Sequence, residues 1–146
     1  DSAESVTLTE ALHSYFGVGD VRNVTIRGLE GIDYLDKVDA AALKRQAGTI
    51  RISEETDRVY LSTSGDCFIE DPGLNRIIRI EKRGSLTTIV WNPWKEKALL
   101  LGDLGETDYL NMVCIESGNA GNDPVTLRPE EEHRLWVRYS VLPLTA

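Results

Sequence analysis

The stretch MVCIE at residues 112–116 decides the fold class of this chain. Its four apolar residues predict a short strand that is buried on both faces. Glu116 ends the apolar run, and the segment 117–119 (SGN) is predicted to turn the chain away. A carboxylate at the end of a buried strand is costly unless it is paired, hydrogen-bonded or partly protonated. Glu116 is therefore either a salt-bridged or solvent-facing strand end, or a functional group.

Short runs of strand character surround this stretch on both sides, and each is bounded by turn residues. Their spacing predicts roughly nine or ten short strands and little helix, which is typical of an antiparallel β-sandwich. The last two runs, Val125–Leu127 and Arg134–Val141, are predicted to form a closing hairpin. The other candidates are Val6–Phe16, Val24–Arg27, Thr49–Ser53, Arg58–Ser62, Cys67–Ile69, Arg76–Lys82 and Leu86–Trp91.

Two segments have helix-forming composition. Asp39–Gln46 (DAAALKRQ) is the best helix candidate, although an exposed loop with one helical turn explains it equally well. Lys95–Leu101 (KEKALLL) is predicted to form a short helix that ends before Gly102.

The composition predicts one globular domain over residues 1–146, with 41% hydrophobic and 27% charged residues. A net charge of −8 argues against nucleic acid or an anionic membrane surface as the main partner. The sequence shows no membrane-spanning apolar run and no signal-peptide pattern. We interpret Cys67 and Cys114, the two cysteines, as reduced buried thiols in a cytoplasmic protein.

A histidine and several carboxylates are the groups that could carry chemistry. The spacing fits no zinc cluster, phosphate loop or nucleophile elbow, so we expect no metal and no cofactor. His13 lies within ALHSYF, where it is either a packed core or rim residue or a ligand-binding or catalytic residue. Asp57 opens a strand, where turn chemistry is the alternative role. Trp91 and Trp94 are packing residues or stacking surfaces for a sugar ring. The remaining chemistry is proton transfer.

Several blocks of the chain, in order, resemble the C-terminal part of the aldose 1-epimerase-like proteins, and most closely the hexose-6-phosphate mutarotase branch. The resemblance implies the galactose-mutarotase-like β-supersandwich and interconversion of the α and β anomers of a hexose or hexose 6-phosphate, without metal or cofactor. The blocks that carry it are ALHSYFGVGDV, GLEGIDYLDK, TDRVYL, DCFIEDPGLNR, IEKRGSLTTIVWNPWKEKA and DYLNMVCIESGN.

The resemblance also implies roles for individual residues. His13 of the LHSYF block is the expected general acid, and Glu116 of MVCIES is the expected general base. Asp57 of TDRVY is expected to bind sugar hydroxyls, and the WNPW block is expected to line the substrate site through Trp91, Asn92 and Trp94. We expect His13 and Glu116 to lie about one pyranose width apart, beyond direct hydrogen-bonding distance.

A structural role predicts other contacts for the same two residues. His13 would then be buried against backbone carbonyls, and Glu116 would pair with Arg79 or Arg83.

The chain also departs from the family pattern. The family carries an N-terminal portion before the LHSYF block, which contributes sandwich strands and the arginines expected to hold the phosphate. This portion is absent here, so residues 1–146 are expected to form the C-terminal part of the fold. We expect self-association or a partner that supplies the missing half. The alternatives to a mutarotase are a non-catalytic carbohydrate-binding β-sandwich and an inactive fragment that lacks the phosphate-binding half.

Overall fold

A computed structural model of the chain describes residues 3–102 and 104–144. The described residues form thirteen strands, one α-helix and three short 3-10 turns (Val21–Asn23, Pro72–Leu74 and Asp108–Asn111). The strands are β1 (Val6–Leu8), β2 (Glu10–Leu12), β3 (Tyr15–Gly17), β4 (Thr25–Arg27), β5 (Asp33–Asp36), β6 (Ala42–Arg45), β7 (Thr56–Tyr60), β8 (Cys67–Asp71), β9 (Arg76–Arg83), β10 (Thr87–Asn92), β11 (Met112–Asn119), β12 (Val125–Leu127) and β13 (Trp136–Pro143), and the helix is α1 (Trp94–Leu101).

The strands form three sheets, and their pairings are antiparallel. The large sheet has seven strands in the order β2–β11–β10–β7–β5–β6, and β3 also pairs with β11. The second sheet has the order β13–β9–β8–β4, and β1 pairs with β12 in a separate ribbon. The predicted antiparallel all-β class is confirmed, and so is the short helix near Lys95–Leu101.

The hydrophobic core lies between the two larger sheets. Val113 and Ile115 of β11 are fully buried there, together with Val90 of the neighbouring β10. The second sheet contributes Ile69 and Ile78, among others. Burying such a side chain stabilises the fold by roughly 1.5–3 kcal/mol. Because side chains alternate along a strand, Cys114 and Glu116 point to the opposite face of the large sheet.

Strand β11 is longer than predicted. Its eight residues are all buried, as expected for a strand covered on both faces, but it does not turn at residues 117–119. The pairing with β2 and β10 extends through Ser117 and Gly118, so Glu116 lies in the middle of the strand. The predicted turn was wrong because neighbours on both sides hold these polar residues in the ladder.

The helix or loop predicted for Asp39–Gln46 is wrong. Residues Ala42–Arg45 form the edge strand β6, which pairs with β5 in register from Asp33 opposite Arg45 to Asp36 opposite Ala42. The helix-forming composition is overridden because pairing with β5 satisfies the backbone hydrogen bonds. The segment Thr49–Ser53 also lacks a strand and contributes one isolated bridge, between Ile26 and Ile50.

The predicted closing hairpin is wrong as well. Strand β12 pairs with β1, and β13 pairs with β9 along its whole length, from Trp136 opposite Arg83 to Pro143 opposite Arg76. The two strands are therefore neighbours in sequence but belong to different sheets. A local pattern could not reveal this, because each strand finds its partner far away in the chain.

Strand β13 leaves part of the core side uncovered. Tyr139 and Val141 lie opposite the buried residues Ile80 and Ile78, so they face the same side of the sheet as the core. They are nevertheless 46% and 65% exposed. Among the described residues, the outer edge of β13 has no strand partner.

Over residues 3–102 and 104–144, no helix is long and apolar enough to cross a membrane.

Candidate active site

The register of β11 brings His13 and Glu116 together. Strands β2 and β3 pair with β11 in one continuous register, with Leu12 opposite Ser117 and Tyr15 opposite Cys114. His13 lies between these two strands and is therefore directly opposite Glu116. Nε2 of His13 lies 3.4 Å from Oε1 of Glu116. The expectation that a pyranose width separates them was wrong, because Glu116 of β11 and His13 of the adjacent β2–β3 link project to the same face.

The two side chains differ sharply in exposure. The side chain of His13 is 50% exposed, whereas that of Glu116 is only 6% exposed. The contacts expected for a structural role are not those observed: His13 is not buried, and Arg79 pairs with Asp66 and Glu81 rather than with Glu116. The pair therefore combines a buried carboxylate with an imidazole that solvent or a ligand can reach.

Burial sets the proton affinity of Glu116. It raises the pKa of the Glu116 carboxyl because the ionised form loses solvation, while the nearby His13 lowers that pKa and Asp57 raises it. A carboxylate with a raised pKa is a stronger base than an exposed glutamate. The environment therefore favours proton transfer to and from Glu116.

Asp57 lies on the same sheet face, two strands away. It is opposite Trp91 in the β7–β10 register, and Trp91 is opposite Cys114 in the β10–β11 register. A single row across the sheet thus contains Tyr15, Cys114, Trp91 and Asp57. Burial raises the pKa of Asp57, and the charges of two neighbouring lysines oppose this shift. The carboxylates of Asp57 and Glu116 consequently border the same surface.

Two aromatic rings, those of Tyr15 and Trp91, form a wall beside the pair. His13 stacks on Tyr15 with ring centroids 4.8 Å apart, and it meets Trp91 edge to face with ring centroids 5.8 Å apart. Tyr15 and Trp91 meet edge to face at 6.2 Å. Sequence reasoning missed Tyr15 as a site residue. Its position two residues after His13, and hence on the same face of an extended segment, was the signal that could have found it.

The structure separates Asn92 and Trp94 from this surface. Asn92 is fully buried: its Nδ2 donates hydrogen bonds to the carbonyl oxygens of Tyr109 (2.8 Å) and Met112 (2.9 Å), and its Oδ1 accepts one from the backbone N–H of Trp94 (2.9 Å). Trp94 packs against the core cluster and meets Tyr109 edge to face at 5.4 Å. Strand alternation places Trp91 on the site face and Asn92 on the opposite one.

Cys114 is the remaining group beside the pair. Its thiol is free and buried, and burial together with the Glu116 carboxylate raises its pKa, so it is a neutral thiol at neutral pH. One ligand atom each from His13, Cys114 and Glu116 lies within 4.8 Å of the others, and a metal ion could bind to such a group. Sequence spacing did not reveal this cluster because His13 lies about a hundred residues away in the chain, in the link between β2 and β3.

An antiparallel sandwich that carries a histidine–glutamate pair, a second carboxylate and an aromatic wall on one face has the parts of an acid–base site for a sugar ring. The chain matches the aldose 1-epimerase family over residues 1–140, and it belongs to that family.

Individual relatives agree with this assignment. The chain is 38% identical over 136 residues to a protein of Cenchrus ciliaris provisionally named a glucose-6-phosphate 1-epimerase, with 92% of this chain and 41% of the relative covered. An Escherichia coli K12 protein with the same provisional name is 35% identical over 126 residues, covering 86% of this chain and 42% of the relative. The chain thus spans about two fifths of the length of these relatives.

Solved structures share the fold. A provisionally named mutarotase from Salmonella typhimurium superposes with a TM-score of 0.88 at 33% identity, covering 96% of this chain and 47% of that one. A provisionally named aldose 1-epimerase from Escherichia coli K12 gives a TM-score of 0.65 at 16% identity, covering 95% of this chain and 53% of that one. The second likeness bears on the fold alone.

Proposed function

We propose that the protein is an aldose 1-epimerase that interconverts the α and β anomers of a hexose or hexose 6-phosphate, with His13 as general acid and Glu116 as general base. The observation that carries the proposal is the 3.4 Å approach of a half-exposed imidazole to a buried carboxylate with a raised pKa. The hexose 6-phosphate is suggested by the names of the relatives.

The reaction needs two proton transfers, one at each of the two oxygen atoms bonded to the anomeric carbon C1. Glu116 takes the proton of the anomeric hydroxyl O1 while the C1–O5 bond breaks and His13 delivers a proton to O5. The open aldehyde rotates about its C1–C2 bond, and the reverse transfers close the ring with the opposite configuration. Because O1 and O5 are both bonded to C1, a closely spaced acid and base can serve them together, and a full pyranose width between the two groups is unnecessary.

The surrounding residues provide binding. In this proposal, Asp57 accepts hydrogen bonds from sugar hydroxyls, and Trp91 together with Tyr15 stacks against the ring. Asn92 and Trp94 support the site from the opposite face by fixing the end of β10. The proposed compartment is the cytoplasm, which fits the two free buried cysteines.

We also propose that the remaining strands of the family fold, in the same polypeptide or a partner chain, cover β13 and complete the phosphate site. This is supported by the exposure of Tyr139 and Val141 on the core side and by the two-fifths coverage of the relatives. Without that cover, the 146-residue chain is expected to self-associate, and Val141→Lys is expected to shift light-scattering masses towards the monomer. A monodisperse monomer at high concentration would contradict this part.

Glu116→Gln in the complete natural protein tests the function. We expect anomer exchange of glucose 6-phosphate, followed by magnetisation transfer between the α and β H1 resonances, to fall by roughly 10²–10⁴-fold while sugar affinity is retained. Glu130→Gln, at an exposed turn, is the matched control. Exchange at the parent rate in Glu116→Gln would overturn the proposal. Sugar binding without exchange in the parent protein would favour the non-catalytic sandwich instead.

A further inference from the structure

The histidine–glutamate pair has a third potential ligand beside it. Cys114 and Glu116 lie two residues apart on β11 and share one face, and His13 approaches from the neighbouring edge segment. The ligand atoms of these three residues, one nitrogen, one sulfur and one oxygen, all lie within 4.8 Å of one another. The proposed proton transfer uses His13 and Glu116 and leaves the sulfur of Cys114 without a role.

A thiolate, an imidazole and a carboxylate form a donor set typical of Zn²⁺. Around a tetrahedral zinc ion with bonds of about 2.0–2.3 Å, neighbouring ligand atoms lie roughly 3.3–3.7 Å apart. The Nε2–Oε1 distance of 3.4 Å between His13 and Glu116 is already in this range. The upper bound of 4.8 Å on the three separations exceeds the tetrahedral range by about 1 Å, so binding needs side-chain movement of no more than that order.

We propose that His13, Cys114 and Glu116 bind one Zn²⁺ ion, which competes with the sugar for the acid–base pair. Zn²⁺ binds the deprotonated thiol of Cys114, the neutral imidazole of His13 and the carboxylate of Glu116, so binding releases the thiol proton together with any proton that His13 or Glu116 carries, and a water molecule takes the fourth position. Hard cations such as Mg²⁺ and Ca²⁺ prefer oxygen ligands and are excluded by the sulfur and nitrogen donors. The site is inhibitory rather than catalytic, and only the inhibition rests on the proposed function.

The chain provides matched counterparts for the cysteine and histidine ligands. Cys67 is also a free buried cysteine, but it belongs to the core on the opposite side of the large sheet. His133 also lies beside a carboxylate, with Nε2 3.3 Å from Oε1 of Glu10, but its other close contact is the amide oxygen of Asn119 at 3.1 Å. Variants at Cys67 and His133 therefore remove the same chemistry from elsewhere in the chain.

Cobalt substitution of the complete natural protein tests binding directly. Co²⁺ is expected to give tetrahedral d–d absorption and a near-ultraviolet thiolate-to-cobalt band at one equivalent, which excess Zn²⁺ removes and Mg²⁺ does not. Cys114→Ser should lose the thiolate band, and Cys67→Ser should keep it. His13→Asn should weaken Zn²⁺ binding, measured by calorimetry, by more than the 10–100-fold typical of losing an outer-shell partner, and His133→Asn should leave it unchanged.

The outcomes separate binding from function. A missing thiolate band, or a band that Cys67→Ser rather than Cys114→Ser removes, overturns the metal site. If Cys114→Ser does not fold by circular dichroism, His13→Asn decides, because its side chain is half exposed. Zn²⁺ is expected to inhibit anomer exchange reversibly, with EDTA restoring it. Stoichiometric Zn²⁺ binding without inhibition would support the site but overturn the assignment of His13 and Glu116 as the acid–base pair.

Discussion

Nε2 of His13 lies 3.4 Å from Oε1 of Glu116, although the two residues come from opposite ends of the chain. The contact depends on one register, in which β2 and β3 flank the central strand β11. Glu116 lies within β11, and His13 lies in the two-residue link between β2 and β3, so the backbone pairing of both strands with β11 fixes the geometry of the pair. This arrangement leads to predictions about the pair and about the residues that hold it.

His13→Gln is expected to slow anomer exchange by roughly 10²–10⁴-fold, because the ring oxygen loses its proton donor. The double variant with Glu116→Gln should be little slower than either single variant, since the two groups act as a unit. The free energy of unfolding, measured by thermal denaturation, should change by less than about 0.5 kcal/mol, because His13 is half exposed. His133→Gln is the control, and additive rate losses would contradict a concerted pair.

Trp91 and Trp94 should respond differently to substitution by alanine. Trp91→Ala is expected to weaken sugar binding by roughly 2- to 10-fold through the loss of stacking. Trp94→Ala is expected to reduce the free energy of unfolding by about 2–4 kcal/mol, because Trp94 packs on the core. Calorimetric titration with sugar and urea unfolding measure the two effects. Equal losses of affinity in both variants would contradict the separation of their faces.

Asn92→Ala is expected to lower the free energy of unfolding by about 2–5 kcal/mol. Its side-chain amide bonds two backbone carbonyls and one backbone N–H, and alanine would remove all three hydrogen bonds. Asn122→Ala, at an exposed position, is the control for urea unfolding. A stable Asn92→Ala protein with impaired sugar binding would instead support direct substrate contact by Asn92.

Gly118→Ala is expected to disturb the active site from a distance. A Cβ atom at this position would lie 2.6 Å from the carbonyl oxygen of Glu10 and 2.9 Å from Cβ of Ala11, so β2 must shift. Because β2 leads directly into His13, we expect slower exchange and a loss of about 1–3 kcal/mol of stability. Gly65→Ala, where a Cβ atom meets no neighbour within 4 Å, is the control. Unchanged exchange would mean that β2 does not position His13.

Lys82 predicts a pH dependence of stability. Its ammonium group is buried against the hydroxyls of Thr63 and Thr88 and the carbonyl of Thr87, and burial lowers its pKa from 10.5 to about 8. Between pH 8 and 10.5 the unfolded chain binds a proton that the folded chain does not, so this residue's contribution to stability rises with pH.

Lys82→Met should remove this dependence. The free energy of unfolding of the parent protein minus that of Lys82→Met is expected to rise between pH 8 and pH 10, by at most about 1.4 kcal/mol per pH unit. Urea unfolding at several pH values measures it. Lys95→Met, at an exposed position, should show no such change. A difference that stays constant with pH would mean that Lys82 titrates normally.

Local sequence patterns determined the class of the fold and several elements. The apolar run at residues 112–115 predicted a strand buried on both faces, and the short helix near Lys95–Leu101 was also correct. Period-two alternation and turn residues are local properties, so a short segment shows them whichever strands pair with it in the fold. The sequence blocks around His13, Asp57 and Glu116 resemble the family, and this resemblance identified the candidate site residues.

Tertiary structure alone decided which strands are neighbours. The chain after Pro124 looks like a hairpin, but β12 and β13 join different sheets, and Ala42–Arg45 becomes a strand only because β5 offers an edge. The same holds for the site: the distance between His13 and Glu116, and the presence of Cys114 beside them, follow from a register between distant strands. Local propensity cannot encode this, because the free energy that selects a register comes from long-range pairing and burial.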